Sequence, residues 1–284
     1  MEAGFCGNVK EYARRVMGVS GNLLKHTKQS GGIFVNGEPC FVVRQLKPGD
    51  RIALVIENGA ASPNVFPRPG ELDIVYEDED ILVLNKPAPL PVHPSKGHVD
   101  DSLANRVAAY YAAQGQGYVT RIVTRLDSGT SGLMVLAKHA YAHDALQKQL
   151  HGPFIREYLA VVRGRPENPE GTVNAPIARA EGATILRVVD GTGKPAVTHY
   201  KTVRAVGDMA LLRLRLETGR THQIRVHMAY IGHPLVGDFL YGSEDARIDR
   251  SALHSCFISF EHPLSRRRME FEQPLPEDMR ALLE

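Results

Sequence analysis

Residues 125–132 have the sequence Arg125-Leu126-Asp127-Ser128-Gly129-Thr130-Ser131-Gly132. This stretch places one carboxylate between an arginine and a run of small, turn-forming residues. The five apolar residues that follow, 133–137, are typical of a strand that is buried on both faces. Asp127 is therefore expected in a loop at the start of a rigid strand, a common position for catalytic residues. On these residues alone, a turn-forming aspartate that bonds its own backbone is the more ordinary interpretation, and catalysis is the second.

The overall composition is that of a globular protein. The chain has 284 residues, of which 43% are hydrophobic and 23% charged, and its net charge is only +2. No apolar stretch approaches the ~20 residues that span a bilayer, and the first residues lack the pattern of a secretory signal. Three widely separated cysteines indicate reduced thiols and neither disulfides nor a zinc site. We therefore expect a cytoplasmic protein without membrane contact.

The N-terminal residues 1–57 are predicted to form a small basic unit. Between Lys10 and Arg51, eight lysines and arginines are opposed by three acidic residues. Two helices are expected, over 11–16 and 20–29, with Ser20 as the N-cap of the second. A strand at 33–35 then leads into an Asn36-Gly37 hairpin turn. Residues 58–71 are rich in proline, alanine and asparagine, which is typical of a semi-extended linker.

Residues 72–284 mix strand and helix signals. Strands are expected over 80–85 and at 212–216, where leucines alternate with charged residues. Helices are expected over 102–113, 140–150 and 222–231, the last with Thr221 near its N-cap. Short strands joined by turns, with few helices, favour an α+β fold with a central, mostly antiparallel mixed sheet.

Two long motifs and two short ones resemble those of the RluA-type pseudouridine synthases. The long motifs are Arg125-Leu126-Asp127 with Thr130-Ser131-Gly132, and the run from Thr218 to His227; the short ones are Asn85-Lys86-Pro87, and Gly237-Asp238 with Tyr241-Gly242. The resemblance extends from about Leu72 to the C-terminus. Thr124 stands where many members of the family have histidine. The N-terminal helix–helix–hairpin order resembles the small RNA-binding module named after ribosomal protein S four.

The resemblance implies an enzyme that isomerises uridine in RNA without a cofactor or a metal. It implies that Asp127 is the essential carboxylate, that Arg225 pairs with it, and that Tyr158 faces the base. Arg125 is expected to aid extrusion of the nucleotide from the RNA. Further RNA contacts are expected from Arg220 and His222 beside the site, and from Lys25 and Lys28 in the N-terminal unit.

The chemistry inferred from the residues alone leaves alternatives open. Asp127 could attack the sugar or remove a ribose proton. Glycoside hydrolysis usually needs two carboxylates, and no second acidic residue stands out in either long motif, so isomerisation is favoured over a uridine glycosylase or hydrolase. A catalytically silent RNA-binding or ribosome-assembly factor is the other alternative.

The sequence also sets expectations for partners. His222, His227 and His233 are spaced by five and six residues, which does not place them on one helical face, so no metal site is expected there. RNA is the expected partner. The N-terminal unit favours ribosomal RNA over transfer RNA, and a monomer is expected.

Overall fold

The N-terminal unit consists of two helices and a three-stranded sheet. The structure is a computed structural model that describes residues 5–56, 64–95, 97, 99–116 and 119–284. The elements of this unit are α1 (Val9–Arg15), α2 (Gly21–Gln29), β1 (Ile33–Val35), β2 (Glu38–Pro39) and β3 (Ile52–Leu54). The Ser20 hydroxyl accepts a hydrogen bond from the Leu23 backbone N–H, so the predicted N-cap is confirmed. Asn36 and Gly37 both have positive φ, as the predicted hairpin turn requires.

The remainder of the chain alternates strands with a few helices. Its elements, in chain order, are β4 (Ile74–Glu77), β5 (Ile81–Lys86), α3 (Leu103–Ala113), β6 (Arg121–Ile122), β7 (Ser131–Ala137), α4 (Ala140–Gln149), β8 (Ile155–Arg163), β9 (Glu170–Asn174), β10 (Ile177–Arg179), β11 (Arg187–Val189), β12 (Val197–Val206), β13 (Met209–Leu216), α5 (Gln223–Tyr230), β14 (Leu253–Glu261), β15 (Arg268–Glu272), α6 (Glu277–Arg280) and a final 3-10 turn, Ala281–Leu283.

Ten of these strands form one large sheet. The main path runs β4-β5-β7-β14-β8-β13-β12-β9, with β15 paired to β14 and β6 paired to β7. Among the strand pairs of the described residues, β7 and β14 run parallel and the others antiparallel. The predicted α+β class with a mostly antiparallel mixed sheet is therefore confirmed.

The strand after Asp127 lies in the interior of this sheet. Every residue of β7 is buried, as the apolar run predicted. On one face of the sheet α3 and α5 cover a core that includes Leu84, Met134 and Tyr158. On the other face α4 covers a second core, with Val83 and Val135 pointing into it. The loop that carries Asp127 is thus attached to a strand that is packed from both sides.

Gly132 explains why the parallel pair can form next to this loop. It has φ +109°, and a Cβ atom there would collide with the backbone of Ser255 on β14. Glycine is the residue that combines this conformation with so close an approach. The strand therefore enters the sheet at Ser131, and the Asp127 loop that precedes it ends at a fixed point.

The boundary between the two predicted units is partly described. Residues 1–4 and 57 of the N-terminal unit and 58–63 of the predicted linker lie outside the described residues. Further along, the Asn105 side chain of α3 donates to the Phe66 carbonyl, and the Arg68 N–H donates to the Asn105 carbonyl. This part of the predicted linker is therefore held against α3. No helix of the described part of the chain is long and apolar enough to cross a membrane.

Candidate active site

A cavity of about 500 Å³ opens between the Asp127 loop, β8 and the turn before α5. Its walls include three backbone segments far apart in sequence, 122–130, 156–158 and 219–225. A volume of this size falls within the ~300–1,000 Å³ of ordinary small-molecule sites. The sheet brings these segments together, because β8 lies between β14 and β13, the strand that leads to α5.

Asp127 faces this cavity and is partly exposed, with 29% of its side-chain surface accessible. The Nη1 atom of Arg225 lies 3.5 Å from its Oδ2 atom, and the Nε2 atom of His222 lies 3.9 Å from the same oxygen. Both neighbours come from the Thr218–His227 motif. The structure therefore places two nitrogen-bearing groups beside one carboxylate that remains accessible to a ligand.

Arg225 is held more tightly by a second carboxylate, Asp238. Its Nε and Nη2 atoms each donate to an Asp238 oxygen at 2.7 Å, and Asp238 is fully buried. Burial alone would lower the pKa of Arg225, but the hydrogen bonds that it donates to Asp238 reverse this, and the pKa is raised. Burial would likewise raise the pKa of Asp238, and Arg225 keeps it low. Arg225 thus presents its remaining nitrogen, Nη1, toward Asp127 as a permanently charged group.

Asp238 was missed as a site residue by the sequence analysis, although Gly237-Asp238 was noted as a family block. The residue follows a turn in which Gly237 has positive φ and touches the Arg250 backbone, and nothing in that local pattern indicates a partner. The bidentate pair forms across 13 residues. In the sequence, Asp238 was indicated only as part of this family block, to which no role was assigned.

Comparison with known proteins adds an independent finding to this geometry. Residues 80–230 match the family model described as RNA pseudouridylate synthase, and these residues make up more than half of the chain.

The chain belongs to the RNA pseudouridine synthase family.

Its curated relatives match over most of their length. An uncharacterized RNA pseudouridine synthase of Bacillus subtilis, YjbO, is 46% identical over 97% of this chain and 98% of its own. The ribosomal large subunit pseudouridine synthase D of Escherichia coli K12 is 41% identical over 89% of this chain and 82% of its own. The solved structure of human RNA pseudouridylate synthase domain containing 1 superimposes with a TM-score of 0.59 at 28% identity, covering 73% of this chain and 86% of that one. The resemblance stated from the motifs is confirmed: this pseudouridine synthase is an RNA-modifying isomerase.

Tyr158 of the pseudouridine synthase lies in the wall of the cavity. It sits on β8, and only 6% of its surface is accessible. Burial raises the pKa of its hydroxyl, which keeps the phenol neutral at physiological pH. A buried aromatic ring at the edge of a cavity is suited to stacking against a flat base.

The N-cap residue of α5 is His222, one residue after the predicted Thr221, and the helix begins at Gln223. It adopts the left-handed conformation, with φ 58°, and its side chain does not cap the helix. Its Nδ1 atom instead lies 2.8 Å from the Tyr241 hydroxyl. That hydroxyl oxygen already accepts the Arg187 N–H, so its own hydrogen is free to be donated to Nδ1. Burial lowers the pKa of His222, and donation from Tyr241 would place the proton of the neutral ring on Nε2, the atom that faces Asp127.

Two buried cations hold the loop from below. The Lys86 ammonium is fully buried and donates to the carbonyls of Pro87, Leu90 and Ser128. Arg250 donates to the Gly129 carbonyl and forms a bidentate pair with Asp278. Because Ser128 and Gly129 follow Asp127 directly, these contacts fix the loop on the side away from the cavity.

The other predicted contact residues fall in two places. Arg125 is exposed and lines the cavity, and Arg220 lines it too, with its Nε atom donating to the Pro195 carbonyl. Lys25 and Lys28 are exposed on α2 and do not line the cavity. Arg156, a buried residue of the cavity wall, was not predicted as a site residue.

The histidines that could suggest a metal have other partners. His227 contacts the Thr198 hydroxyl and the Ala175 carbonyl, and His233 contacts the Arg163 carbonyl. Among the described residues, one group could offer three metal ligands, formed by Asp78, Asp80 and His262. None of the three lines the cavity.

That group is better explained as a hydrogen-bond network. The His262 Nδ1 atom accepts the backbone N–H groups of Leu264 and Ser265, so its proton lies on Nε2. Nε2 then donates to Asp78 at 2.9 Å, and it has no lone pair for a metal.

Proposed function

We propose that this enzyme converts uridine to pseudouridine in ribosomal RNA, with Asp127 as its essential carboxylate. The observation that supports this most directly is the arrangement Asp127–Arg225–Asp238 at the wall of a nucleoside-sized cavity. Isomerisation breaks the bond between base and sugar and rejoins the same two fragments, so neither a cofactor nor a metal is required.

A permanently charged group lies beside the proposed carboxylate. Arg225 keeps a full positive charge because Asp238 stabilises it, and its Nη1 atom lies within 3.5 Å of Asp127. At the same time Asp127 does not take part in the bidentate pair between Arg225 and Asp238, so one oxygen of Asp127 stays available to the ribose or the base.

The cavity walls suit a base that has left its helix. We propose that the uracil ring stacks on Tyr158, an interaction worth about 1–3 kcal/mol per base. Extrusion costs a few kcal/mol in lost stacking. Arg125, exposed at the rim, is proposed to compensate for part of this cost by occupying the vacated space.

Ribosomal RNA is the proposed substrate for two reasons. The relative from Escherichia coli carries the name ribosomal large subunit pseudouridine synthase D. The chain also has the basic N-terminal unit, whose residues Lys25 and Lys28 are exposed. We propose that residues 1–57 are an RNA-binding module, that 58–71 link it to a catalytic domain of residues 72–284, and that the protein acts as a cytoplasmic monomer.

The test is pseudouridine mapping on an unmodified transcript of large-subunit ribosomal RNA. The wild-type enzyme is expected to produce pseudouridine at discrete positions, and D127N to produce none while retaining RNA affinity, since phosphate contacts supply most of the binding. D144N, which alters a surface carboxylate, is the matched control and should retain full activity. Turnover by D127N would overturn the assignment, and release of free uracil would indicate a glycosylase.

A further inference from the structure

Among the residues that the structure describes, Arg156 of the cavity wall is a buried arginine without an acidic partner. Only 8% of its surface is accessible, and its buried Nε atom has no hydrogen-bond partner in the described part of the chain. No carboxylate of the described residues lies within 4.0 Å of its guanidinium, although each of the other two arginines that are as deeply buried, Arg225 and Arg250, has a bidentate acidic partner. A buried charge is costly unless it is paired, so this arginine requires an anion that the described side chains do not supply.

The position of Arg156 indicates that this anion would bind in the active site. It lies on β8 two residues before Tyr158, so both side chains project from the same face of the strand, about 7 Å apart. Both line the cavity that contains Asp127. On the far side the guanidinium is approached by Gly219, where a Cβ atom would lie 3.0 Å from Nη1. The group is therefore confined between the strand and the turn before α5.

The acidic side chains of the site do not balance the positive charge of Arg156. Asp238 takes two nitrogens of Arg225, and the third faces Asp127. The acidic side chains of this centre are thus already associated with Arg225. A uridine within RNA carries its negative charge on its phosphodiesters, whereas its ribose and base are neutral.

We infer that Arg156 binds a phosphate group flanking the target uridine while Tyr158 holds the base. This inference rests on the proposed function, because it assumes that a uridine enters this cavity. Guanidinium groups match phosphate oxygens with two parallel hydrogen bonds. One strand would then hold the nucleotide at two points, its phosphate at residue 156 and its base at residue 158, and so fix the ribose beside Asp127.

The test compares three soluble probes: uridine, uridine 5′-monophosphate and uridine 3′-monophosphate. Dissociation constants are measured by calorimetry or NMR titration for the full-length wild type, R156Q, R156K and R215Q. One monophosphate should bind the wild type about 10- to 100-fold more tightly than uridine, as expected for hydrogen bonds to a charged group. The monophosphate that binds more tightly than uridine identifies whether Arg156 contacts the 5′ or the 3′ phosphate.

The variants separate a phosphate contact from other roles. R156Q should lose the advantage of the monophosphate and leave uridine affinity unchanged, and R156K should keep part of it. R215Q removes an exposed arginine from the neighbouring strand β13 and should behave as wild type. If R156Q does not fold, as thermal unfolding would reveal, the reduced advantage in R156K is the deciding result.

Several results would overturn this inference. They are equal binding of all three probes by the wild type, no measurable binding of either monophosphate, or an undiminished advantage in R156Q or R156K. A loss of uridine affinity in R156Q would assign Arg156 to the uracil carbonyls instead. D127N should keep the wild-type preference for the monophosphate. If the wild-type enzyme shows the phosphate preference but forms no pseudouridine in ribosomal RNA, the proposed function is refuted while Arg156 remains a phosphate contact.

Discussion

At the scale of single residues, the function of the site depends on how the three guanidinium nitrogens of Arg225 are shared between two carboxylates. Asp238 is fully buried and bonds two of its nitrogens, whereas Asp127 is partly exposed and lies near the third. The buried carboxylate stabilises the guanidinium, and the exposed one is left for chemistry. Two carboxylates near one arginine therefore have different roles because their exposure differs.

Replacement of Asp238 should show this division. D238N leaves Arg225 buried without its counter-charge, a change that typically costs about 3–5 kcal/mol of unfolding free energy. We also expect strongly reduced activity, since Arg225 would turn toward Asp127 and block its oxygen. Chemical denaturation and pseudouridine formation measure the two effects. D144N, whose carboxylate pairs with Lys148 at the surface, should cost less than about 1 kcal/mol. Similar stability of D238N and wild type would contradict this account.

The protonation of His222 gives a second prediction at this scale. In the wild type the ¹⁵N spectrum of His222 should show a bare Nδ1 and a protonated Nε2, because the Tyr241 hydroxyl donates to Nδ1. Y241F removes that donor, and the two tautomers should then mix. Y230F removes the hydroxyl of an exposed tyrosine on α5 and should leave the spectrum unchanged. A protonated Nδ1 in the wild type would refute the assignment.

At the scale of elements, the Asp127 loop is rigid because both of its sides are fixed. On the strand side, Gly132 allows β7 to approach β14 without a side chain between them. Beneath the loop, the ammonium of Lys86 donates hydrogen bonds to three backbone carbonyls, one of which belongs to Ser128. A loop held in this way keeps its carboxylate in position before the substrate arrives.

The burial of Lys86 predicts a particular pH dependence of stability. Burial, assisted by the charge of Arg250, lowers the pKa of Lys86 to about 7, and Asp127 opposes this shift. In the unfolded chain the lysine keeps its proton to above pH 10. Between these values the unfolded state binds more protons than the folded state, so the contribution of Lys86 to stability increases as the pH rises above 7.

The comparison of wild type with K86M isolates this contribution. The difference in unfolding free energy, wild type minus K86M, should be nearly flat below pH 7. It should rise by about 2 kcal/mol in favour of the wild type between pH 7 and pH 9. Urea denaturation at several pH values measures it. A flat difference across the whole range would show that the lysine stays charged when buried.

At the scale of the whole molecule, the N-terminal unit rests against the outside of α4. The Tyr141 hydroxyl donates to the Met17 carbonyl, and the Lys148 ammonium donates to the Gly18 carbonyl. Both acceptors lie in the turn between α1 and α2. These two hydrogen bonds join the N-terminal unit to α4, and Lys25 and Lys28 are exposed on α2.

If these two lysines contact RNA phosphates, their removal should be visible in the salt dependence of binding. The double variant K25Q/K28Q is expected to bind ribosomal RNA more weakly, and the slope of log affinity against log salt should fall by about 0.7–0.9 per lost phosphate contact. K201Q, which removes an exposed lysine of β12, is the control. An unchanged slope in K25Q/K28Q would exclude these lysines as phosphate contacts.

The sequence by itself predicted part of the helices and strands, and the class of protein. Hydrophobic periodicity predicted β7 as a buried strand and β13 as a half-buried one, since these patterns depend only on which residues face the core. Local capping and turn chemistry predicted the Ser20 N-cap and the Asn36-Gly37 turn. The motifs around Asp127 and Arg225 were sufficient to indicate the family, because their residues are contiguous in the chain.

The tertiary structure alone decided which side chains share a site. Asp238 pairs with Arg225 across a turn and a helix, Lys86 reaches Ser128 across 42 residues, and Arg156 enters the cavity because β8 lies between β14 and β13. Such contacts depend on the order and register of strands, which periodicity does not encode. The N-cap of α5, His222, was also predicted one residue early, since its left-handed backbone is stabilised by a contact to Tyr241 and not by a local cap.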